Sequence, residues 1–271
     1  MGAWDISFEH LTLGYGSRVI LRDITATLPA GKMSVILGGS GCGKSTLLKH
    51  IIGLYKPMSG CLRLGSKDFF ALPSREFHRM RRHMGVLFQD GALLGALTLA
   101  QNVALPLSEN TGLSAVQLRQ AALATLDLVG LADFGDYYPN ELSGGMRKRA
   151  GLARAIITEP SVLLCDEPTS GLDPITAAQM DQLLLTMHDS FSDMTTVVVS
   201  HDMESVRRIA DQVLVLKDST AIFCGSYGEL AQSRDPYLCQ FLHREADEQR
   251  RMPHAAQNPE VRAALNAWLN S

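Results

Sequence analysis

A glycine-rich loop between an apolar run and a helical pattern is the feature that most constrains this chain. The loop reads "GGSGCGKST", residues 38–46, and it directly follows the β-branched run "MSVIL". Apolar residues then recur at helical spacing until Gly53, at Leu47, Leu48, Ile51 and Ile52. We therefore expect a buried strand, a tight turn and a helix in direct succession.

The turn has the residues that phosphate binding requires. It fits the pattern G-x-x-x-x-G-K-[ST] through Gly38, Gly43, Lys44 and Ser45. Glycines allow close backbone approach, so successive N–H groups can surround a phosphate, and the helix N-terminus adds partial positive charge. Lys44 would supply a point charge for β- and γ-phosphates, and the Ser45 hydroxyl would bind Mg²⁺. The alternative is a glycine-rich turn without a ligand, which the complete pattern in this context disfavours.

Two acidic residues end a second apolar run, "SVLLCDEP". Acids at the end of a buried strand are explained if they face a cation or a water molecule in a cleft. We expect Asp166 to hold Mg²⁺ and Glu167 to polarise an attacking water molecule. Two solvated acids at a strand end would be the simpler interpretation if no phosphate-binding loop preceded them.

A second helix N-terminus of the same kind occurs in "NELSGGMRKRAGLARAI". Ser143, Gly144 and Gly145 precede a helical pattern and predict a second anion-binding site. One phosphate-binding loop does not need two such sites for its own nucleotide. The pattern is best explained by two chains that pair head to tail, each presenting this segment to the γ-phosphate of the other.

Together these segments resemble the nucleotide-binding subunit of ABC transporters, from about residue 5 to about residue 235. The resemblance rests on "GYGSRVIL", "GGSGCGKST", "VLFQDG", "LSGGM", "LLCDEP", "SGLD" and "VVVSHD", which occur in the order typical of that family. It implies an α/β fold with a P-loop NTPase (RecA-like) core, an antiparallel β-subdomain and an α-helical subdomain. It also implies ATP and Mg²⁺ as ligands.

The resemblance assigns a role to each matching residue. Nucleotide contacts are expected from Tyr15, stacking on adenine, and from Gly38, Gly39, Ser40, Gly41, Cys42, Gly43, Lys44, Ser45, Thr46, Ser143, Gly144 and Gly145. Mg²⁺ contacts are expected from Ser45, Gln89 and Asp166, and catalytic roles from Glu167 as base, His201 at the γ-phosphate and Gln89. Asp173 falls in the segment that contacts the second subunit. Met146 replaces the usual glutamine, which removes a polar side chain near the dimer seam.

Within the family, the chain is most similar to ATPases of the Mla and Mce type, which move phospholipids between membranes. The similarity lies in "FQDGALLG", "LPLSENT" and the signature that ends in methionine, while Leu94, Gly95 and Ala96 depart from the usual residues. It implies a homodimer on the cytoplasmic side of the bacterial inner membrane, bound peripherally to MlaE-like permease subunits, with Mce-domain and STAS-domain proteins as further partners. Two alternatives remain: an ATPase of a small-solute importer, and a cell-division type ABC protein that signals through a membrane partner.

The chain divides into an ATPase domain, residues 1–235, and a C-terminal arm, residues 236–271. Residues 1–30 predict short β-strands, and residues 90–147 a helical subdomain. Within it, Ser114 and Gln117 have capping-box spacing, Gly130 ends the helix, and its apolar face is Leu118, Ala122, Thr125, Leu126 and Val129. In the arm, Val261, Leu265, Trp268 and Leu269 predict a terminal amphipathic helix that docks in its own chain or on the neighbouring one.

Composition limits the classes of partner. The net charge is -3 among 271 residues, and a nucleic-acid-binding protein usually has a clear basic excess. No run approaches the roughly 18 apolar residues that a membrane helix needs. Five scattered cysteines indicate neither a disulfide framework nor a zinc site. We therefore expect no nucleic acid as a partner, and any action at a membrane to take place from its surface.

Overall fold

The structure is a computed structural model that describes residues 2–191, 193–243 and 259–270. Its strands are β1 (Ile6–Tyr15), β2 (Arg18–Leu28), β3 (Met33–Gly38), β4 (Ser59–Leu64), β5 (Lys67–Asp68), β6 (Met84–Leu87), β7 (Val162–Asp166), β8 (Thr195–Val199), β9 (Gln212–Lys217) and β10 (Thr220–Ser226). Its α-helices are α1 (Lys44–Ile51), α2 (Ser74–Arg81), α3 (Leu99–Asn110), α4 (Ala115–Leu128), α5 (Gly144–Ile156), α6 (Pro174–Ser190), α7 (Met203–Ile209), α8 (Tyr227–Ala231), α9 (Pro236–His243) and α10 (Pro259–Leu269).

The larger of the two sheets has six strands. Its strand order is β10-β9-β3-β8-β7-β6, and all neighbouring strands are parallel except β10 and β9. Every residue of β3 and β8 is buried, as expected for strands covered on both faces. The carboxyl ends of β3, β7 and β8 therefore lie side by side, at Gly38, Asp166 and Val199.

The N-terminal strands form a second, antiparallel sheet with the order β2-β1-β4-β5. The predicted β-subdomain is thus present in β1 and β2, but it also takes in β4 and β5, which follow α1 in the chain. The two sheets share one apolar core with α1 between them, since Phe8, Leu47, Ile51 and Val197 belong to the same buried cluster. Burial of each such side chain stabilises the fold by about 1.5–3 kcal/mol, and it fixes the position of the loop that precedes α1.

Two α-helices, not one, lie between β6 and α5. The predicted helix is α4, with the capping box at Ser114 and Gln117 and with Gly130 at φ 68. The additional helix is α3, which was not predicted because Gln101, Asn102 and Pro106 interrupt its apolar pattern. Thr98 and Gln101 form a capping box at its start, and buried Val103 and Ala104 pack inside. We infer that these contacts outweigh the roughly 3 kcal/mol cost of a proline inside a helix, here Pro106.

The chain divides into two compact units, residues 1–230 and 231–271. The predicted boundary near residue 235 stays a prediction. The second unit contains α9 and α10, and α10 lies where a terminal helix was predicted, with Trp268 and Leu269 exposed. The side chains of Val261 and Leu265, and the predicted linker over residues 244–258, lie outside the described residues. None of the described helices is both long and apolar enough to span a bilayer.

Candidate functional site

The glycine-rich loop crosses from the end of β3 to the start of α1. Gly38 has a φ of 156 and Gly43 a φ of 107, and a Cβ at Gly38 would lie 2.5 Å from the carbonyl oxygen of Leu216. A Cβ at Gly43 would lie 2.8 Å from the side chain of Leu21. These two positions therefore accept only glycine, which leaves the backbone N–H groups of the loop uncovered by side chains.

Lys44 is buried against its own loop. Its ammonium Nζ donates hydrogen bonds to the carbonyl oxygens of Gly38, at 2.8 Å, and Gly39, at 3.0 Å, and the residue is 7% exposed. Within the described ranges Lys44 has no acidic side chain within 4.0 Å. Its charge is held in place by two dipoles and is not neutralised by a close carboxylate, so it can attract a phosphate.

The two acidic residues at the end of β7, Asp166 and Glu167, contact different partners. Asp166 Oδ1 accepts a hydrogen bond from Ser45 Oγ at 3.5 Å. Burial, and then the neighbouring Glu167 carboxylate, raise the pKa of Asp166, whereas Ser45 and two nearby lysines lower it. A cation at this position would relieve the unfavourable burial of the carboxylate, and the pair of oxygen donors has the chemistry that Mg²⁺ prefers.

Glu167 leaves the strand with an unusual backbone conformation. Its φ is 48, in the left-handed region, and its N–H donates to the Val199 carbonyl oxygen at 2.9 Å. Its carboxylate Oε1 lies 3.1 Å from Nδ1 of His201, which follows β8. The His201 side chain is 59% exposed, compared with 20% for that of Glu167. The turn thus directs Glu167 away from Asp166 and toward His201.

These groups surround one cavity of about 540 Å³. The cavity is lined by Ile20, Ser40, Gly41, Gly43, Lys44, Ser45, Thr46, Glu167 and His201. Asp166 reaches its edge through Ser45. The structure therefore brings together most of the residues predicted for phosphate binding and hydrolysis. Ile20, on β2, was not predicted, because nothing in its local sequence indicates that β2 passes in front of the loop.

Gly38, Gly39 and Cys42 of the loop do not line the cavity, and neither do three predicted residues on other segments, Tyr15, Gln89 and Asp173. Tyr15 donates a hydrogen bond from Oη to Thr46 Oγ1 at 3.4 Å, and its ring packs edge-on against Tyr55 with centroids 4.8 Å apart. Gln89 is exposed just after β6. Asp173 caps α6, accepting from the backbone N–H groups of Ile175 and Thr176. The roles of these three residues, like those of the residues that line the cavity, stay predictions.

The "LSGGM" segment also lies outside the cavity. Ser143 is the N-cap of α5 and accepts a hydrogen bond from the backbone N–H of Met146. Ser143 and Gly144 are exposed, while Gly145 is buried, and a Cβ there would lie 2.9 Å from the methyl group of Thr176. The segment therefore presents a helix N-terminus to the surface and not to the loop of its own chain.

Two basic side chains that were not predicted as site residues connect α5 to the segments that follow β7 and β6. Lys148 donates to the carbonyl oxygens of Glu167 and Ser170, and Arg154 to those of Gly91 and Ala92. Both belong to α5. The basic run "RKR" gave no signal for Lys148, because a run of charges usually lies on a solvated face and only the tertiary structure buries this one.

The fold and this site are those of an ATP-binding cassette, and the chain belongs to the ABC transporter family. The model of that family matches residues 21–170. The chain is therefore an ATPase that binds ATP, as the motifs predicted. Among solved structures, the dimeric MJ0796 ABC transporter cassette superposes with a TM-score of 0.74 at 32% identity, covering 82% of this chain and 98% of that one. This likeness confirms the predicted fold class.

Among curated proteins, the MlaF ATP-binding protein of an intermembrane phospholipid transport system in Haemophilus influenzae is 39% identical, over 93% of this chain and 96% of its own length. MlaF of Escherichia coli K12 is 39% identical over 90% and 88%. A probable ribonucleotide transport ATP-binding protein, mkl of Mycobacterium tuberculosis, is 41% identical over 88% of this chain. The chain spans only 66% of the length of mkl.

Proposed function

We propose that this chain is the ATP-hydrolysing subunit of a membrane transporter that moves phospholipids, of the Mla or Mce type. The observation that carries the proposal is the match to MlaF of Haemophilus influenzae over 93% of this chain and 96% of that protein. An almost end-to-end match includes the surfaces that contact partners as well as the nucleotide site. We place the protein peripherally on the cytoplasmic side of a bacterial inner membrane.

In the proposed reaction, water attacks the γ-phosphorus of ATP and ADP leaves. Lys44 and the N–H groups of residues 38–46 would hold the phosphates, where developing negative charge is stabilised by fixed donors. Glu167 would accept the proton of the attacking water molecule. Its contact with His201 Nδ1, at 3.1 Å, supports a pair in which His201 orients Glu167 and reaches the γ-phosphate.

Mg²⁺ fits the oxygen donors beside the loop. Ser45 and Asp166 would hold it, with Gln89 as a further ligand that the family resemblance suggests. The donor set supports a cation here, because Ser45 Oγ and Asp166 Oδ1 lie 3.5 Å apart and burial raises the pKa of the Asp166 carboxyl group. When bound, the metal ion would offset negative charge on the β- and γ-phosphates.

Two chains would complete each site. The N-terminus of α5, with Ser143 and Gly144 exposed and Gly145 buried behind them, does not line the cavity of its own chain. A head-to-tail homodimer would bring this helix N-terminus of one chain to the γ-phosphate held by the other, and Asp173 to the seam. The MJ0796 cassette was solved as a dimer, which supports this arrangement. Tyr15 would stack on adenine in the same closed state.

A permease would bind at a different surface. A cavity of about 700 Å³, larger than the one at the glycine-rich loop, lies where α2, β6, α3 and α5 meet. Its lining combines apolar side chains, among them Leu54 and Phe88, with the cations Arg81, Arg82 and Arg154. We propose that a cytoplasmic helix of an MlaE-like permease subunit packs here, with Mce-domain and STAS-domain proteins completing the complex.

The experiment that tests this function is purification of the tagged chain from detergent-solubilised membranes, followed by mass spectrometry of its partners and lipids. We expect a permease, an Mce-domain protein and phospholipid. Leu54→Glu should lose the permease, because it puts a charge among apolar groups of the larger cavity. Ile222→Glu is the matched control, since Ile222 is similarly exposed on β10 and does not line that cavity.

A second cargo class follows from the mycobacterial relative mkl, whose name specifies ribonucleotide transport. Recovery of a permease with a solute-binding protein, and without an Mce-domain protein or phospholipid, would contradict the lipid proposal and favour a solute. It would leave the proposed ATP site unaffected, because both classes use the same nucleotide chemistry.

A further inference from the structure

Lys148 is a buried cation that the proposed reaction does not use. It is 5% exposed, although it lies in α5 between two other basic residues. Its Nζ donates to the carbonyl oxygen of Glu167 at 3.2 Å and to the carbonyl oxygen and Oγ of Ser170, at 2.5 and 3.3 Å. An ammonium group has three donors, so these contacts use its full hydrogen-bonding capacity.

The acceptors belong to the turn that aims the Glu167 carboxylate. This turn begins with Glu167 at a φ of 48 and closes through a hydrogen bond from the Ser170 N–H to the Glu167 carbonyl oxygen, at 3.1 Å. A residue other than glycine is strained in this conformation, which persists only where the surrounding structure holds it. Lys148, on α5, helps to hold this turn through its hydrogen bonds to the two carbonyl oxygens.

The charge environment agrees with a specific role. Burial lowers the pKa of the Lys148 ammonium, while the carboxylates of Asp90 and Glu167 act in the opposite direction. Asp90 directly follows Gln89. Lys148 thus lies where α5, the segment after β6 and the turn after β7 meet. Burying an ammonium group is unfavourable unless its contacts compensate for the lost water. A lysine with no role at this turn could instead lie in solvent.

We propose that Lys148 is a positioning residue for hydrolysis, which holds the Glu167 backbone so that the carboxylate points toward His201 and the cavity. Because Lys148 belongs to α5, it also links the orientation of Glu167 to the helix whose N-cap is Ser143. A shift of α5 would change the hold on Glu167. This inference rests on the proposed role of Glu167 as the base.

The test compares ATP hydrolysis by purified full-length Lys148→Met and Lys148→Arg proteins with that of the wild type. Methionine keeps most of the side-chain length and removes the donors. We expect kcat to fall about 10- to 100-fold, the effect of a misplaced catalytic group, while affinity for ATP stays within about twofold. Arginine, which can still donate to both carbonyls, should recover most of kcat.

The matched control is Arg149→Met. Arg149 is the next residue of α5 and donates to a carbonyl oxygen far from the turn, that of Val129, at 3.4 Å. It should lose stability without a comparable loss of kcat. If Lys148→Met does not yield folded protein, Lys148→Gln, which keeps a donor but shortens its reach, is measured with the same expectations.

A double-mutant comparison separates this inference from the assignment of the base. In a Glu167→Gln background, Lys148→Met should cause little further loss in single-turnover hydrolysis, because the two changes affect the same step. An unchanged kcat in Lys148→Met, or a full additional loss in the double variant, would overturn the positioning role. Retained hydrolysis in Glu167→Gln alone would instead contradict the proposed base.

Discussion

The Lys44 side chain shows how single contacts prepare this site for a phosphate. Two carbonyl oxygens of its own loop, at 2.8 and 3.0 Å, hold the ammonium group in a buried position. The glycine that provides the first carbonyl, Gly38, has no room for a side chain. Position and charge of the lysine are therefore set before any nucleotide arrives, which lowers the cost of ordering it on binding.

Lys44→Met should remove the positioned ammonium group while keeping the apolar part of the side chain. A hydrogen bond to a charged group contributes about 1.5–3 kcal/mol, so we expect ATP affinity to fall at least about tenfold in a fluorescent-nucleotide titration. Lys56→Met, the same change at an exposed position, should bind ATP as the wild type does. Equal affinity in both variants would contradict a phosphate contact from Lys44.

At the level of elements, α5 packs closely on the segment that follows Gln89. A Cβ at Gly151 would lie 2.9 Å from the Cα and 3.0 Å from the carbonyl oxygen of Gly91. Arg154 reaches around the same contact, and its Nη1 and Nη2 donate to the carbonyl oxygens of Ala92 and Gly91 at 2.7 and 2.8 Å. The helix and this segment therefore form one packed assembly, which would transmit a shift of either.

Gly151→Ala tests this packing. Alanine is the better helix former by about 1 kcal/mol, yet we expect a net loss of about 1–3 kcal/mol in the free energy of unfolding, since overpacking against backbone cannot be relieved by a rotamer change. Urea unfolding measures the difference. Gly228→Ala is the control, because a Cβ there would meet only Ser226 Oγ, at 3.9 Å, and it should be neutral or stabilising. A stabilised Gly151→Ala protein would contradict the close approach.

For the whole molecule, the parallel sheet gathers the predicted chemistry at one edge. Gly38, Asp166 and Val199 end neighbouring strands there, next in sequence or close to residues that line the cavity, whereas the N-terminus of α5 does not line it. One chain thus carries a cavity and, elsewhere, an exposed helix N-terminus at Ser143 and Gly144 that does not line this cavity. The head-to-tail homodimer proposed above uses both features in each of two equivalent sites.

Glu167→Gln should make that dimer visible. Without the base, ATP would stay bound between two chains, and light scattering after size-exclusion chromatography with ATP should show a mass twice the 29.5 kDa of one chain. Adding Lys44→Met to the same variant should restore the monomer, because the phosphate contact is lost. If Glu167→Gln alone is also a monomer in the presence of ATP, either the proposed dimer or the proposed role of Glu167 is wrong.

Much of the fold could be predicted because its signals are local. Buried strands β3, β7 and β8, the glycine turn and the capping box of α4 depend on neighbouring residues, and the structure has each of them where expected. Helix α3 was missed because Pro106 and two polar residues conceal its pattern. Asn102 in fact lies buried, and its side-chain amide bonds the backbone of Leu94, Leu97 and Thr98.

The sequence by itself determined the glycine-rich loop, the two acids at the end of β7 and the family, because close-range backbone geometry and charge at fixed spacing specify them. Only the tertiary structure decided which of those residues share a cavity and which, like Gln89 and Ser143, lie outside it. It alone also buried Lys148 beneath Glu167. Such contacts join residues about twenty positions apart on different elements, and their energy comes from burial and hydrogen bonding that no local pattern encodes.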